Sequence, residues 1–155
     1  MTADHPASGR ATGDELWEGH AEWWIDGFTE GADPEYTEQI LPLAEAELDG
    51  FARIVDIGCG DGQIARLLAR HGAAVTGVDP TWNQLTVASE RSGGVAYARS
   101  GAAALPFADA SFDAAVACLV FEHIDDVDGA IAEVARVVRP CLLYTSDAAD
   151  DASSV

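Results

Sequence analysis

The amino-acid sequence predicts an α/β fold, a doubly wound parallel sheet with helices on both faces that is incomplete at its C-terminal end. From residue 53 onwards, strand-like and helix-like segments alternate, which is typical of parallel sheets with crossover helices. Residues 54–68 pass from an apolar run through alternating glycines into an amphipathic helix. The residues with recognisable chemistry follow the strands, whose carboxyl ends meet at one edge of such a sheet. We therefore expect a binding site at that edge.

The chain before the core is expected to form a short tail and a helical cap. Residues 1–13 are small and polar and predict a disordered N-terminus. Residues 14–52 predict two helical segments joined by turn-forming residues at 31–34. Their aromatic and apolar side chains either pack on the sheet or cover the binding cleft, and both interpretations stay open.

The core, residues 53–140, is expected to contain four strands and three helices. The strands are predicted at residues 53–57, 74–78, 95–98 and 112–118. The helices are predicted at residues 62–71, from 81 to the glycine pair at 93–94, and at 127–138.

Two local features of these helices are predicted as well. Thr81 and Gln84 have the spacing of a capping box at the start of the second helix. Ile131, Val134 and Val138 are expected to form the buried stripe of the last helix.

The composition argues against several classes of partner. The formal net charge is −19, and all eight basic residues are arginines. Because phosphate contacts need clustered cations, we expect neither nucleic acid nor an anionic membrane as a partner. We see no leader and no apolar run long enough to span a bilayer, so a cytoplasmic protein is expected. The three cysteines are not spaced as a disulfide framework or a zinc site.

The glycine-rich turn after the first strand is the strongest functional signal. Gly58, Gly60 and Gly62 alternate behind Asp56, and a helix follows. Such a turn brings backbone N–H groups against a ligand. A dinucleotide fingerprint would place its last glycine one residue later, and the Asp56 carboxylate would repel a pyrophosphate. Asp79 follows the next strand, at about the spacing of a ribose-binding carboxylate.

This pattern resembles the cofactor-binding motif of class I S-adenosylmethionine-dependent methyltransferases, and the resemblance covers residues 23–140. It implies a Rossmann-like fold with S-adenosylmethionine as the cofactor. The implied contacts with the cofactor come from the following residues: Asp56, Gly58, Cys59, Gly60, Gly62 and Asp79. The alternatives are a turn-stabilising role for Asp56 and a helix cap for Asp79.

Two further stretches are expected to hold the adenine ring. Pro80 and Trp82 come soon after the second strand, where an apolar or aromatic side chain would cover one face of adenine. Residues 104–107 resemble a family pattern, but the acidic position that precedes this pattern in the family falls on Gly101. The resemblance therefore leaves adenine recognition to the backbone of Gly101 and Ala102.

The loop after the fourth strand, residues 118–124, ends in the pair Glu122-His123. In the family this loop borders the methionine end of the cofactor and the acceptor, which implies a contact from Cys118. His123 is the candidate general base, because an imidazole ordinarily titrates near neutrality. A structural histidine at a helix start is the alternative. We predict no metal site, because apolar side chains replace the upstream acidic residue of some quinone methyltransferases.

The sequence departs from the family after Pro140. The family continues with a glycine pair and a fifth strand, whereas residues 141–155 are similar to translated sequencing-adapter read-through and are expected to be non-native. The resemblance then implies a C-terminally truncated domain with strand order 3-2-1-4. Its fourth strand would lie at an exposed edge.

The residues and the resemblance together predict a methyltransferase that acts on an unidentified, small-molecule acceptor. The alternatives are a noncatalytic cofactor-binding fragment of the same fold and, with less support, a nicotinamide-dependent oxidoreductase. The motifs do not specify the acceptor atom or the oligomeric state.

Overall fold

The computed structural model of the chain describes residues 18–20, 26–27 and 33–140. The predicted N-terminal tail, residues 1–13, and the tail predicted to be non-native, residues 141–155, lie outside these ranges, as does most of the first predicted helical segment. None of the helices in these ranges combines the length and the apolarity that crossing a bilayer needs.

Residues 33–140 contain four strands and four α-helices. The strands are β1 (Arg53–Ile57), β2 (Ala74–Asp79), β3 (Ala96–Arg99) and β4 (Ala114–Ala117). The helices are α1 (Leu41–Leu48), α2 (Gln63–Arg70), α3 (Trp82–Arg91) and α4 (Val127–Val137). A π-helical turn, Tyr36–Ile40, precedes α1, and a 3-10 turn, Phe121–His123, follows β4.

The sheet is parallel throughout, in the order β3-β2-β1-β4. β1 lies inside the sheet, with Val55 opposite Thr76 of β2 and Ala115 of β4. The residues of β1 after Arg53 are buried, as expected of a parallel strand that is covered on both faces. This arrangement confirms the predicted fold class and strand order.

The fourth strand begins two residues later than predicted, because Phe112 pairs with the chain that leaves α4. The Phe112 N–H donates to the carbonyl oxygen of Val137, and the Phe112 carbonyl oxygen accepts from the Arg139 N–H, both at 3.0 Å. The N–H of the next residue, Asp113, points the other way and donates to the first residue of β1 at 2.7 Å. The chain after α4 therefore returns on the side of β4 that faces away from β1.

Two apolar clusters fill the two faces of the sheet. The first lies between the sheet, α1 and α2, and its largest members are Leu48, Ile54, Ile64, Leu68 and Val75. The second lies on the side of α4, and its members are Val55, Ile57, Val78, Leu105, Phe112, Val134 and Val137. Adjacent residues of β1, such as Ile54 and Val55, belong to different clusters because side chains alternate along a strand.

The buried stripe of α4 differs from the predicted one. Ala130, Val134 and Val137 are buried, whereas Ile131 is 46% exposed. Ile131 lies roughly 100° around the helix from Ala130, outside the face that meets the sheet. The prediction was wrong at this position because it favoured the larger of two adjacent apolar side chains. Val138 lies beyond the helix and is only partly buried.

The N-terminus of α3 is capped from a distant part of the chain. Thr81 is the N-cap residue, but its side chain makes no capping hydrogen bond. The predicted capping box is therefore wrong, and Oε1 of Gln84 is buried without a hydrogen-bond partner among the described residues. The N–H groups of Trp82 and Asn83 donate instead to the carboxylate of Glu18, at 2.8 and 3.1 Å. A segment before the core thus reaches the carboxyl edge of the sheet.

Candidate functional site

A cavity of about 370 Å³ lies at the carboxyl edge of the sheet. It is lined by the turn after β1, the end of β2, the loops after β3 and β4, and the π-helical turn. Nine of the residues predicted to bind or react line it: Gly58, Cys59, Gly60, Asp79, Pro80, Gly101, Ala102, Cys118 and His123. Asp56 and Gly62 are not among its lining residues.

The turn after β1 has a conformation that favours glycine. Gly58, Gly60 and Gly62 have φ angles of 65°, 53° and 81°. A side chain at Gly58 would collide with Val120, so glycine lets the loop after β4 approach the turn. A side chain at Gly62 would collide with the hydroxyl group of Tyr97 on β3. The structure thus assigns Gly62 to packing, whereas the sequence-based interpretation placed it against the ligand.

Asp79 connects the end of β2 to the glycine-rich turn. Its carboxylate accepts one hydrogen bond from the Gly60 N–H at 2.9 Å and another from the Thr81 N–H at 2.8 Å. It therefore orients the turn and the start of α3 at the same time. These two bonds fix the orientation of the carboxylate at the cavity wall. The predicted ligand role is compatible with this geometry, whereas the alternative of a helix cap is not, because the N-cap residue of α3 is Thr81.

Asp56 lies behind the turn, not on the surface of the cavity. The residue is 2% exposed, and its Oδ2 has no hydrogen-bond partner among the described residues. Burial, with smaller contributions from the negative charges of Asp79 and Asp61, raises the pKa of Asp56 to about 8. The carboxyl group is therefore largely protonated near neutral pH. The predicted role, a charged group in contact with the cofactor, does not fit this position.

Asp61 is a site residue that the sequence analysis missed. Asp61 lines the cavity and is only 2% exposed. The guanidinium groups of Arg66 and Arg91 both pair with Oδ2 of Asp61, the first at 3.4 Å. Arg66 also donates to the backbone carbonyl oxygen of Asp61. The two arginines thus hold the glycine-rich turn in place through Asp61. The sequence does contain a signal for this pair: Asp61 stands between two glycines of the turn, and Arg66 follows in the first turn of the helix.

Tyr36 belongs to the segment whose aromatic side chains were expected either to pack on the sheet or to cover the cleft. It lines the cavity from the π-helical turn, and its ring also packs against the first apolar cluster. Burial, followed by the charges of Cys118 and Asp56, raises the pKa of the Tyr36 phenol well above its ordinary value. Burial likewise raises the pKa of the Cys59 thiol. Both groups therefore remain neutral near pH 7, and this segment both packs on the sheet and lines the cavity.

The loop after β3 is attached to α4 by an ion pair. Arg136 donates to the carbonyl oxygens of Leu105 and Phe107 at 3.1 and 2.7 Å. It also pairs with Glu133 at 2.7 Å, and Glu133 accepts from the Leu105 N–H at 2.8 Å. The hydrogen bond from Arg136 is the main cause that lowers the pKa of Glu133 to about 2. The pair stays charged at neutral pH and keeps this loop at the cavity wall.

The loop after β4 brings His123 to the cavity. His123 ends the 3-10 turn, its side chain is 42% exposed, and its Nε2 lies 3.8 Å from Oε1 of Glu122. Trp82, by contrast, is 60% exposed and does not line the cavity. The prediction that Trp82 covers the adenine ring is therefore not supported by the geometry, whereas Pro80 does line the cavity.

Known proteins resemble the chain over most of its described length. Residues 55–141 match the family model described as a methyltransferase domain. The O-methyltransferase resE of Aspergillus sclerotiorum is 36% identical over 130 residues, which cover 78% of this chain and 49% of that protein. The chain spans about half the length of the curated relatives that it matches.

Solved structures extend the likeness to the fold. A methyltransferase of Thermotoga maritima, described as S-adenosylmethionine-dependent and as a possible histamine N-methyltransferase, has a TM-score of 0.69 and 26% identity. The alignment covers 82% of this chain and 57% of that one. The [4+2]-cyclase SpnF has a TM-score of 0.69 and 27% identity, with 84% of this chain and 57% of that one covered.

Proposed function

Because the chain belongs to the methyltransferase domain family, we propose that it binds S-adenosylmethionine in the cavity and transfers the methyl group to a small-molecule acceptor. The single observation that carries the proposal is the Asp79 carboxylate, which is fixed beside Gly60 at the cavity wall. A carboxylate at the end of the second strand is the group that accepts ribose hydroxyls in nucleotide-binding sheets.

The residues of the cavity fit the parts of this cofactor. Asp79 accepts the ribose hydroxyls, and Pro80 together with the backbone at Gly101 and Ala102 borders the adenine ring. The turn at Gly58 and Gly60 lines the cavity with backbone, and the missing side chain at Gly60 leaves that backbone open to the methionine part.

The chain's own contribution to the reaction is alignment and a proton acceptor. When bound, S-adenosylmethionine supplies an electrophilic methyl carbon on a positively charged sulfur. Holding the acceptor in line with that carbon can be worth roughly 7–11 kcal/mol at best. His123, at the cavity, accepts the proton from the acceptor hydroxyl or amine as the new bond to carbon forms.

The role of His123 predicts a selective defect. We expect His123→Ala to lower the rate of methyl transfer by about 100-fold, a typical loss for a general base. The affinity for S-adenosylhomocysteine should change much less, because His123 acts on the acceptor. The measurements are transfer of tritiated methyl groups over pH 6–9 and calorimetric titration of the same proteins.

The matched control is His71→Ala. His71 follows α2 at the opposite edge of the sheet, where it pairs with Glu45 at 3.1 Å. This variant should keep the parental rate and pH profile. If His123→Ala and the parent have superimposable pH–rate profiles, His123 has only a structural role.

The role of Asp79 predicts a loss of affinity. We expect Asp79→Ala to weaken binding of S-adenosylhomocysteine by about 1–3 kcal/mol, the usual cost of removing a charged hydrogen-bond acceptor. Asp128→Ala removes an exposed carboxylate outside the cavity and serves as the control. An unchanged dissociation constant in a folded Asp79→Ala protein would reject Asp79 as the ribose ligand.

A second candidate function is cofactor binding without methyl transfer. It is favoured by one observation, the likeness to a protein named as a [4+2]-cyclase, because this fold then also supports chemistry other than methylation. The two functions separate in one assay. Binding of S-adenosylhomocysteine without transfer to any acceptor in a panel of phenols, alcohols and amines would favour the second candidate.

A further inference from the structure

Among the described residues, carboxylates and no arginine line the cavity that we assign to cofactor and acceptor. Asp61, Asp79, Asp125 and Asp126 line it, and among its described lining residues only His123 can become a cation. Arg66 and Arg91 offset the charge of Asp61. Asp126 caps α4 by accepting from the Gly129 N–H, and Asp125 is exposed at the cavity. The charge on the side of the loop after β4 is thus negative.

The arginines of the described ranges lie outside the cavity. The sequence has eight arginines and no lysine, and seven of the arginines fall in the described ranges. Five of these seven pair with Asp61, Asp113 or Glu133. Arg99 donates to the Pro80 carbonyl oxygen from outside the cavity, and Arg70 lies in the last turn of α2. Across the described chain, an anionic ligand group would meet no unpaired arginine in the cavity.

The attacking atom of the acceptor and the sulfur of the cofactor are close enough to experience the same negative charge. An attacking atom lies about 3–3.5 Å from the methyl carbon, and hence about 5 Å from the sulfur. In a concave, partly desolvated site, the potential at these two positions is set by the same nearby carboxylates. That potential favours positive charge at the sulfur, and it disfavours a carboxylate or phosphate on the acceptor.

We propose that the methyl acceptor of this site is neutral or cationic, such as a phenol, an alcohol or an amine, and brings no carboxylate or phosphate into the cavity. The inference rests on the proposed function, since it concerns the acceptor of the proposed methyl transfer. Asp125 is its specificity-determining residue, because it lines the cavity, is exposed, and is not the N-cap of α4.

The test compares S-adenosylmethionine with S-adenosylhomocysteine, which differ only in the methyl group and the charge at sulfur. Their dissociation constants are measured by calorimetry at about 20 and 500 mM NaCl, a range over which screening becomes strong. We expect the relative affinity for the sulfonium to fall about threefold or more at high salt. Asp125→Asn should lower it by a similar factor at low salt, whereas Asp128→Asn, which removes a charge outside the cavity, should leave it unchanged.

The acceptor is then tested with tritiated S-adenosylmethionine and three catechols of similar shape: catechol, dopamine and 3,4-dihydroxybenzoate. We expect transfer to dopamine to exceed transfer to the carboxylate by about tenfold, and Asp125→Asn to reduce this preference. Faster transfer to 3,4-dihydroxybenzoate would overturn the inference. The inference would also be overturned if the ratio of the two cofactor dissociation constants responded neither to salt nor to Asp125→Asn. If none of the catechols is methylated, this ratio alone decides. If neither cofactor form binds, the proposed function itself fails.

Discussion

Replacing Gly60 with valine is expected to abolish binding of S-adenosylhomocysteine in a protein that still folds. Gly60 lines the cavity with a φ of 53°, and its N–H donates to Asp79 at 2.9 Å. A branched side chain would fill the space where the cofactor meets the backbone, and it would strain a conformation that L-residues rarely adopt. We expect the dissociation constant to rise by about 100-fold or more, as calorimetry would measure.

Gly50→Val separates the two effects of that substitution. Gly50 also has a positive φ, 82°, but a side chain there would meet nothing within 4 Å, and Gly50 is outside the cavity. This variant carries the backbone strain without obstructing the site, so it should lose stability and keep its affinity. A folded Gly60→Val protein that binds as tightly as Gly50→Val would show that the turn does not contact the cofactor.

Asp56→Asn is expected to remove a large pH dependence of stability. The pKa of Asp56 is raised from 3.8 to about 8 in the folded chain, mainly by burial. The folded state therefore holds a proton that the unfolded state has released above pH 4. The stability that this proton contributes is fully present below the unfolded pKa, and it is lost as the pH rises through the folded pKa.

The size of this effect is set by linkage. One proton changes the free energy of unfolding by at most about 1.4 kcal/mol per pH unit, so the parent should lose several kcal/mol relative to Asp56→Asn between pH 4 and 8. Urea denaturation of both proteins across this range measures the difference. Asp128→Asn changes an exposed carboxylate, so the stability of this variant should depend on pH in the same way as that of the parent. Parallel stability curves for Asp56→Asn and its parent would contradict the burial of an uncharged Asp56.

The predicted family is confirmed, and the parts of the fold that local pattern determines were predicted well. The unit from Arg53 to Arg70 was predicted within a residue at each end, because an apolar strand, positive-φ glycines and an amphipathic helix each leave a local signature. The errors fall where tertiary contacts override local preference. Glu18 caps α3 from 64 residues away, which no capping-box pattern can reveal.

The candidate site likewise contains residues that the sequence predicts and residues that only tertiary contacts explain. Positions next to strand ends, such as Asp79 and Gly101, line the cavity because parallel topology brings those ends together. The link from Arg91 to Asp61 depends on how α3 packs against the turn, and the sequence offers no signal for it across 30 residues. The need for glycine at position 62 likewise depends on Tyr97, a residue on β3 whose hydroxyl group a side chain there would meet.

Calorimetric titration of one protein sample with S-adenosylhomocysteine and, separately, with NADH tests most directly the claim that the cavity is an S-adenosylmethionine site. The geometry of Gly58, Gly60 and Asp79 predicts saturable binding of S-adenosylhomocysteine, one molecule per chain. The carboxylates that line the cavity predict no binding of NADH at the same concentrations, because its pyrophosphate is anionic. Saturable binding of NADH without binding of S-adenosylhomocysteine would contradict it and would restore the oxidoreductase alternative.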